Sequence, residues 1–345
     1  MAKVLVIRIS SFGDVAMLVP VIFSVAAGYP QDRFSVMTRK AFAPLFENLS
    51  FNINVIPLDI NGRHKGVKGM FRIIRRLASL GFSHVADEHD VIRSKFIRAF
   101  MTMTGRETAC INKGRKNKKA LIANRASEPP LKSTIQRYQA VFDKLGFPAP
   151  MIFTNILTFI PKDFSGLRTV ATEKTGTWIG IAPFSKHKGK IFPLEKMEKV
   201  ISKLSGEANT TIFLFGAGKE ESRVLTRWAE KYPNVKNATG KLNLEKELLL
   251  ISYLDVMVSM DSANMHLASL VHVPVVSIWG ATHPSLGFYG FNQDPDNAVQ
   301  IDLDCRPCSV HGNLPCQRGD YACLERIHED LVISHIHKVL EQKNS

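Results

Sequence analysis

The sequence is poor in the features that mark membrane-spanning, disulfide-framed or motif-labelled nucleotide proteins. None of its 345 residues fall in a run of the roughly 18 apolar residues a membrane helix needs. The nearest run, Val15–Tyr29, follows Asp14 and contains Pro20. With Lys3 and Arg8 ahead and Ala26-Ala27-Gly28 behind, it has the outline of a signal-peptide core, but Val4-Leu5-Val6-Ile7 reads better as a buried strand and argues against secretion. The five cysteines are too few for a disulfide framework in so long a chain, so a reducing cytoplasm is expected. Neither G-x-G-x-x-G nor a Walker A lysine follows the first strand, which argues against a dehydrogenase or a P-loop ATPase. There is no helix-turn-helix, zinc-finger or RNP pattern, and no aromatic residue is interleaved in the basic run Lys113–Lys119; nucleic acid is not an expected partner.

What is present is an ordinary soluble mixture, 45% hydrophobic and 22% charged, with an uneven charge. Residues 1–150 carry 24 Lys/Arg against 10 Asp/Glu, while residues 151–345 carry 21 of each, so the whole excess of +14 lies in the N-terminal part. That part is expected to meet something anionic: a phosphorylated substrate, a lipid surface or nucleic acid, or else to be a solvated face. Apolar β-branched runs at Lys3–Ile9, Arg33–Thr38, Ile53–Leu58 and His84–Asp87 read as strands. Helical patterns cover Asp14–Ala27, Lys68–Leu80, Val91–Thr102 and Thr134–Leu145. After a polar stretch, Pro161–Thr177, that reads as a linker, the alternation restarts. Strands are expected at Trp178–Ala182, Thr211–Phe215, Val256–Ser259 and Val275–Trp279. Helices are expected at Pro193–Leu204, Lys219–Lys231, Leu244–Ser252, Ala263–Leu270 and Asp330–Glu341. The alternation predicts an α/β chain of two halves, each a parallel sheet covered on both faces, with ligand outside the carboxyl ends of the strands.

Three segments carry candidate chemistry. Ser10-Ser11-Phe12-Gly13-Asp14 joins the first strand to the first helix; Gly13 allows a tight turn, and Asp14 is either an acidic residue favoured by the helix dipole or a general base for a hydroxyl. IGIAPFSKHKGKIFP (Ile179–Pro193) holds Ser185, Lys186, Lys188 and Lys190 in a strand-to-helix loop suited to a pyrophosphate, or simply a solvated basic loop. Gly216 lies in a glycine turn that either lets a ligand approach the backbone or only makes the turn, and Glu220 or Glu221 beside it can hold a ribose hydroxyl. In MDSANMHL (Met260–Leu267), Asp261 ends a strand and Ser262 starts a helix whose free amides can bind an anion.

These segments, in this order, resemble glycosyltransferase family 9, the ADP-heptose:lipopolysaccharide heptosyltransferases. ISSFGDVAMLVP is similar to that family's opening motif, Lys190–Pro193 and SMDSANMHLASL…VPVVSIWGAT to its donor signatures, and ADEHDVIRSKFI (Ala86–Ile97) to an acceptor-side stretch. The resemblance implies a GT-B fold: two Rossmann-like domains facing each other across a cleft, here residues 1–165 for the acceptor and 175–328 for the nucleotide sugar. A C-terminal helix, residues 329–345, is then expected to pack back towards the N-terminal domain. It implies an inverting, metal-independent transfer of heptose from ADP-heptose to a lipopolysaccharide inner-core acceptor, with no cofactor required. Asp14 matches the catalytic base and Lys190 the lysine that neutralises the leaving phosphate. Ser185, Lys186, Gly216, Glu220, Asp261, Ser262, Ala263, Asn264 and His266 fall on the donor side. Ser10, Ser11, Gly13, His89, Arg93, Lys95, Arg115 and Lys116 fall on the acceptor side, where Gly114–Lys119 (GRKNKK) is more basic than a sugar site requires.

The implied partners are an ADP-heptose-like nucleotide sugar and an anionic lipid-linked saccharide, and the implied place is the cytoplasm, peripheral to the cytoplasmic face of the inner membrane. A transferase of the same fold with another nucleotide sugar or acceptor, and a non-catalytic binder of anionic saccharide or lipid, are the alternatives. The pairs Asp294-Pro-Asp296 and Asp302-Leu-Asp304 lie beyond the donor segments and read as chance rather than as a metal-binding D-x-D. Cys305, Cys308, Cys316 and Cys323 suffice for a structural zinc, or form a loop of reduced or partly linked cysteines.

Overall fold

In the computed structural model, residues 1–124, 129–159 and 163–344 are described. They fall into two compact units, Met1–Lys113 with Ser133–Phe159, and Gly114–Lys132 with Ile160–Ser345.

The first unit is a five-stranded parallel sheet of β1 (Lys3–Ile7), β2 (Arg33–Arg39), β3 (Ile53–Leu58), β4 (His84–Asp87) and β5 (Glu107–Cys110), in the order β3-β2-β1-β4-β5. The central strand is buried on both faces, which is why it reads as a continuous apolar run rather than an alternating one. Helices follow as α1 (Phe12–Gly28), α2 (Gly66–Ser79), α3 (Ile92–Met103), α4 (Arg115–Asn124), which belongs to the second unit, and α5 (Thr134–Lys144). Leu5 and Ile7 of β1 meet Ile73 and Leu77 of α2 and Ile97 and Met101 of α3 in one core. Side chains alternate along a strand, so Val4 and its partner Phe34 face the other way, and Phe34 meets Phe142 of α5 with ring centroids 6.5 Å apart. Pro20 lies inside α1, and the Ser24 hydroxyl one turn on donates to its carbonyl while accepting the amides of Ile152 and Phe153.

The second unit is a six-stranded parallel sheet ordered β11-β10-β9-β6-β7-β8. Its strands are β6 (Thr177–Ala182), β7 (Thr210–Leu214), β8 (Val235–Asn237), β9 (Val256–Met260), β10 (Val275–Ile278) and β11 (Ala298–Val299). Its helices continue as α6 (Leu194–Ser205), α7 (Gly218–Lys231), α8 (Leu244–Ser252), α9 (Ala263–Leu270), α10 (Ala322–Glu325) and α11 (Glu329–Asn344). In each sheet the strand order reverses once, between β1 and β4 in the first and between β6 and β9 in the second. Those two edges are the topological switch points at which open α/β sheets bind ligands.

Two expectations change. GRKNKK is not a loop of the N-terminal half: Arg115 opens α4, and the whole segment clusters with the second unit. Lys118 there is buried, with its ammonium 3.9 Å from the Phe288 ring centroid, so part of that basic run is a packed cation–π contact. The tail helix α11 buries Val332, Ile336 and Val339 in the second unit's own core. The Pro161–Thr177 stretch begins outside the described residues, and from residue 163 on it is packed rather than free: Leu167 is fully buried and Phe164 meets Tyr253 edge-on at 5.1 Å.

Candidate active site

Each switch point brings together side chains from the two strands that flank it. In the first unit, Arg8 leaves the carboxyl end of β1 and is almost wholly buried. Its guanidinium donates to the Glu88 carbonyl beyond β4 at 2.6 Å and pairs with Oδ2 of Asp14 at 2.6 Å. Asp14 sits in the first turn of α1, where its carboxylate also accepts the Ser11 hydroxyl at 2.6 Å and the Ser11 amide at 3.2 Å. A negative charge suits that end of a helix. The phenol of the buried Tyr138 on α5 donates to the Asp14 carbonyl at 3.1 Å, and its ring lies 5.7 Å from the Arg8 guanidinium carbon. Asp14 is thus held from three sides while its side chain stays one-quarter exposed.

Beyond β4 the chain turns tightly around Asp87, whose buried carboxylate accepts the amides of His89 and Asp90 and pairs with Arg98 at 2.7 Å. This places His89 with Nε2 3.4 Å from the Ser10 hydroxyl. Burial, with Arg8, Lys113 and Arg39 nearby, pushes the His89 imidazole down to about 3, so it is neutral at physiological pH. Glu88 is fully buried, and neither carboxylate oxygen has a hydrogen-bond partner among the described residues. Burial holds its carboxyl well above the usual carboxylate range despite the neighbouring Arg8. Arg93 donates to the His64 carbonyl at 2.8 Å, and the half-exposed Lys95 reaches Asp90 at 3.7 Å. Of the predicted acceptor residues, Ser10, Ser11, Gly13 and His89 therefore gather at the switch point, Arg93 and Lys95 lie on α3, and Arg115 and Lys116 belong to the other unit.

In the second unit, the loop after β6 returns at Lys190, whose ammonium pairs with Oδ2 of Asp261 at 2.8 Å just past β9. Of the three lysines in that loop, Lys190 is the one that enters the switch point; Lys186 is exposed and Lys188 lies over the Tyr321 ring. Close packing fixes the turn: a Cβ on Gly189 would stand 2.9 Å from the Ala281 side chain and 3.0 Å from the Gly312 carbonyl. Asp261 is buried, and its carboxylate also accepts the Thr282 hydroxyl at 2.8 Å, while its carbonyl accepts the Ser185 hydroxyl at 3.2 Å. Ser262 is the N-cap residue of α9; with Ala263 and Asn264 it is half-buried at the amide-bearing end of that helix, and His266 is buried one turn in. Such an end favours an anion.

Further along the same sheet edge, a groove of about 1070 Å³ runs from Gly216, Ala217 and Gly218 to Thr239, Leu242 and Glu247. The volume is that of a ligand site of generous size. Gly218 has φ +78°, and Gly216 has no room for a Cβ, which would come 2.8 Å from Leu225. Glu220 is exposed and pairs with Arg223 at 3.1 Å, while its neighbour Glu221 accepts the Ala217 amide at 2.7 Å. Burial in the groove wall pushes the Glu247 carboxyl up to about 7.

The four C-terminal cysteines line one small cavity with Arg306, but all are free thiols. Among the described residues, no group of three or more His, Cys, Asp or Glu is placed to hold a metal ion. Burial raises the Cys308 thiol and pushes Cys323 up to about 11. Arg306 donates to the carbonyls of Gly280 and Thr282 and so ties this loop to the chain that follows β10. Arg8, Glu88, Tyr138 and Thr282 were not foreseen. Arg8 alone left a trace, as one charge inside an apolar run.

Known proteins resemble this chain in sequence and in fold. Lipooligosaccharide heptosyltransferase 2 of Campylobacter jejuni serotype O:6 is 27% identical over 132 residues, a match spanning 37% of this chain and only 40% of that protein's length. Lipopolysaccharide core heptosyltransferase OpsX of Haemophilus influenzae is 22% identical over 297 residues, covering 86% of this chain and 83% of that one. Escherichia coli heptosyltransferase WaaC, solved with ADP-2-deoxy-2-fluoro heptose, has a TM-score of 0.69 at 19% identity, covering 97% of this chain and 99% of that one, and shares its fold. The family model described as glycosyltransferase family 9 (heptosyltransferase) matches residues 70–315, more than half of the sequence, so the chain belongs to that family of transferases.

Proposed function

We propose that this protein transfers a heptose from ADP-heptose to the core of a lipopolysaccharide acceptor, with inversion and without a catalytic metal. The observation that carries this reading is the meeting of Lys190, Asp261 and the α9 amide end at the switch point of the unit that also holds the groove. Adjacent strands lie about 4.8 Å apart, so the sheet edge from β6 to β8 spans roughly 10 Å, a length suited to a nucleoside diphosphate. Its phosphates would lie at Lys190 and the start of α9, its ribose near Gly216 and Glu220, and its base in the groove over Leu242. The WaaC structure with an ADP-heptose analogue supports the same choice of nucleotide.

In this reading the donor side comprises Ser185, Lys186, Lys190, Gly216, Glu220, Asp261, Ser262, Ala263, Asn264 and His266. The acceptor side is the first unit. The acceptor hydroxyl oxygen bonds to the anomeric carbon as that carbon's bond to the phosphate oxygen breaks. The hydroxyl proton passes to Asp14, and the charge left on ADP falls to Lys190 and the helix amides. Neutral His89 offers hydrogen bonds to a sugar without a competing charge. The acceptor is lipid-linked and anionic, which places the reaction at the cytoplasmic face of the inner membrane. Among the described residues, no helix is long and apolar enough to cross that membrane.

Thermal unfolding with ADP, UDP and GDP at matched concentrations tests the donor. A nucleotide at about 100 times its Kd adds about 2.7 kcal/mol. Stabilisation by ADP alone, followed by heptose transfer to a heptose-deficient lipid acceptor, is the expected result. Stabilisation by UDP or GDP instead would replace the donor, and ADP binding with no transfer would overturn the catalytic reading.

A further inference from the structure

We infer that the outward sides of α2 and α3 form a docking surface for an anionic lipid leaflet. The two helices are neighbours on one face of the first unit's sheet, and both plant residues in the core beneath them: Ile73 and Leu77 from α2, Ile97 and Met101 from α3. A covering helix needs one apolar stripe. On α3 there are two. Ser94, Ile97 and Met101 face the core, and Ile92, Phe96, Ala99 and Met103, at spacings of four, three and four residues, line up on the opposite side. On α2, Val67 and Phe71, one turn apart, are likewise turned outward. Val67, Phe71, Ile92, Phe96 and Met103 are each between 61% and 86% exposed. Large apolar side chains gathered on one exposed face mark an interaction site rather than random surface scatter.

The charge identifies the partner. Neither helix contains an Asp or a Glu, whereas together they carry Lys68, Arg72, Arg75, Arg76, Arg93, Lys95 and Arg98. Arg98 is committed to Asp87, and Arg93 to the His64 carbonyl. Lys68, Arg75 and Arg76 are exposed and make no ion pair among the described residues. Apolar side chains flanked by cations match the headgroup boundary of an anionic leaflet, which takes up apolar area and attracts Lys and Arg at the same depth. A second copy of the chain fits poorly, because two identical surfaces bearing cations and no carboxylate would repel. The inference extends the lipid-linked acceptor reading above, but its evidence is separate, and its test needs no turnover.

The test is flotation of the full chain with phosphatidylcholine vesicles, with and without phosphatidylglycerol, at low and high salt. The wild type is expected to float with the anionic vesicles and to be released by salt. The double variant F71S/F96S, whose lost side chains are exposed, is expected to keep its Tm while losing at least about tenfold in vesicle affinity. F71S/F96S floating as well as wild type would overturn the proposal. So would equal binding to neutral vesicles, or no binding by the wild type. A concentration-dependent dimer that the double variant abolishes, without vesicle binding, would also overturn it and assign the surface to a second copy.

Discussion

The two units solve the same geometric problem with opposite charges. In the first, a carboxylate faces outward and a buried cation holds it: Asp14 is a quarter exposed and Arg8 nearly sealed. In the second, the cation is the more accessible member and the carboxylate is sealed: Lys190 is 15% exposed and Asp261 6%. A proton acceptor and an anion acceptor each need one charge presented and its opposite kept behind it to fix its position. The Rossmann-like scaffold supplies both by placing a loop from each flanking strand at the switch point. On the reading proposed above, the sign set in front decides whether a unit takes a proton or an anion.

The sharpest way to break this symmetry is to neutralise the presented group on each side. Asp14→Asn should lower kcat by at least about 100-fold and leave the Kd for ADP unchanged, as read by turnover and calorimetry. A variant that stays active would remove Asp14 as the base. Lys190→Met should do the reverse, weakening ADP binding as well as turnover. It should also destabilise the fold by about 3 kcal/mol, because Asp261 stays buried without its cation. Adding Asp261→Asn should recover most of that stability and none of the nucleotide affinity. Equal losses in the single and double variants would mean that the pair is not coupled.

Two buried groups in the first unit make opposite predictions about pH. His89 titrates at about 3 in the folded protein and near 6.5 when unfolded, so between those values only the unfolded chain takes up the proton. Stability is therefore lost as pH falls below about 6.5, and His89→Gln should remove about 2–3 kcal/mol of that loss by pH 4.5. Glu88 is raised, so its contribution is present at low pH and declines as pH rises above the ordinary carboxylate range. Glu88→Gln should gain stability relative to wild type as pH increases. Denaturant titrations across pH would reveal both slopes, and parallel curves for variant and parent would refute the assignment. The smallest effect expected is in the second unit. Glu247 titrates at about 7 in the groove wall, so ADP should bind a few-fold more weakly at pH 8 than at pH 6, and Glu247→Gln should flatten that dependence.

Much of this architecture was legible in the sequence because the signals are local. β1 is a buried apolar run, α1 begins at a Ser-Ser-Phe-Gly-Asp turn, and β9 runs directly into the α9 cap, so Asp14, Asp261 and Ser262 could be placed by position alone. What could not be read depends on distant partners. Arg8 becomes informative only when β4 brings Glu88 beside it, 80 residues later. Lys118 looked like a solvated cation until Phe288 supplied a ring to cover it. The spacing of the cysteines shows that four thiols can meet, but the raised thiol of Cys323 comes from burial, which spacing does not encode.

The placement of α4 has a consequence for synthesis. Its helix is made early yet belongs to the unit that is made last. Lys118 must wait about 170 residues for Phe288, which at a ribosomal rate of about 5–20 residues per second is roughly ten to thirty seconds. For most of that interval α5 is already made, so the first unit has all its elements while this cationic segment still lacks its own. No single cut releases either unit whole, because a fragment beginning at residue 160 lacks α4 and one ending at residue 113 lacks α5.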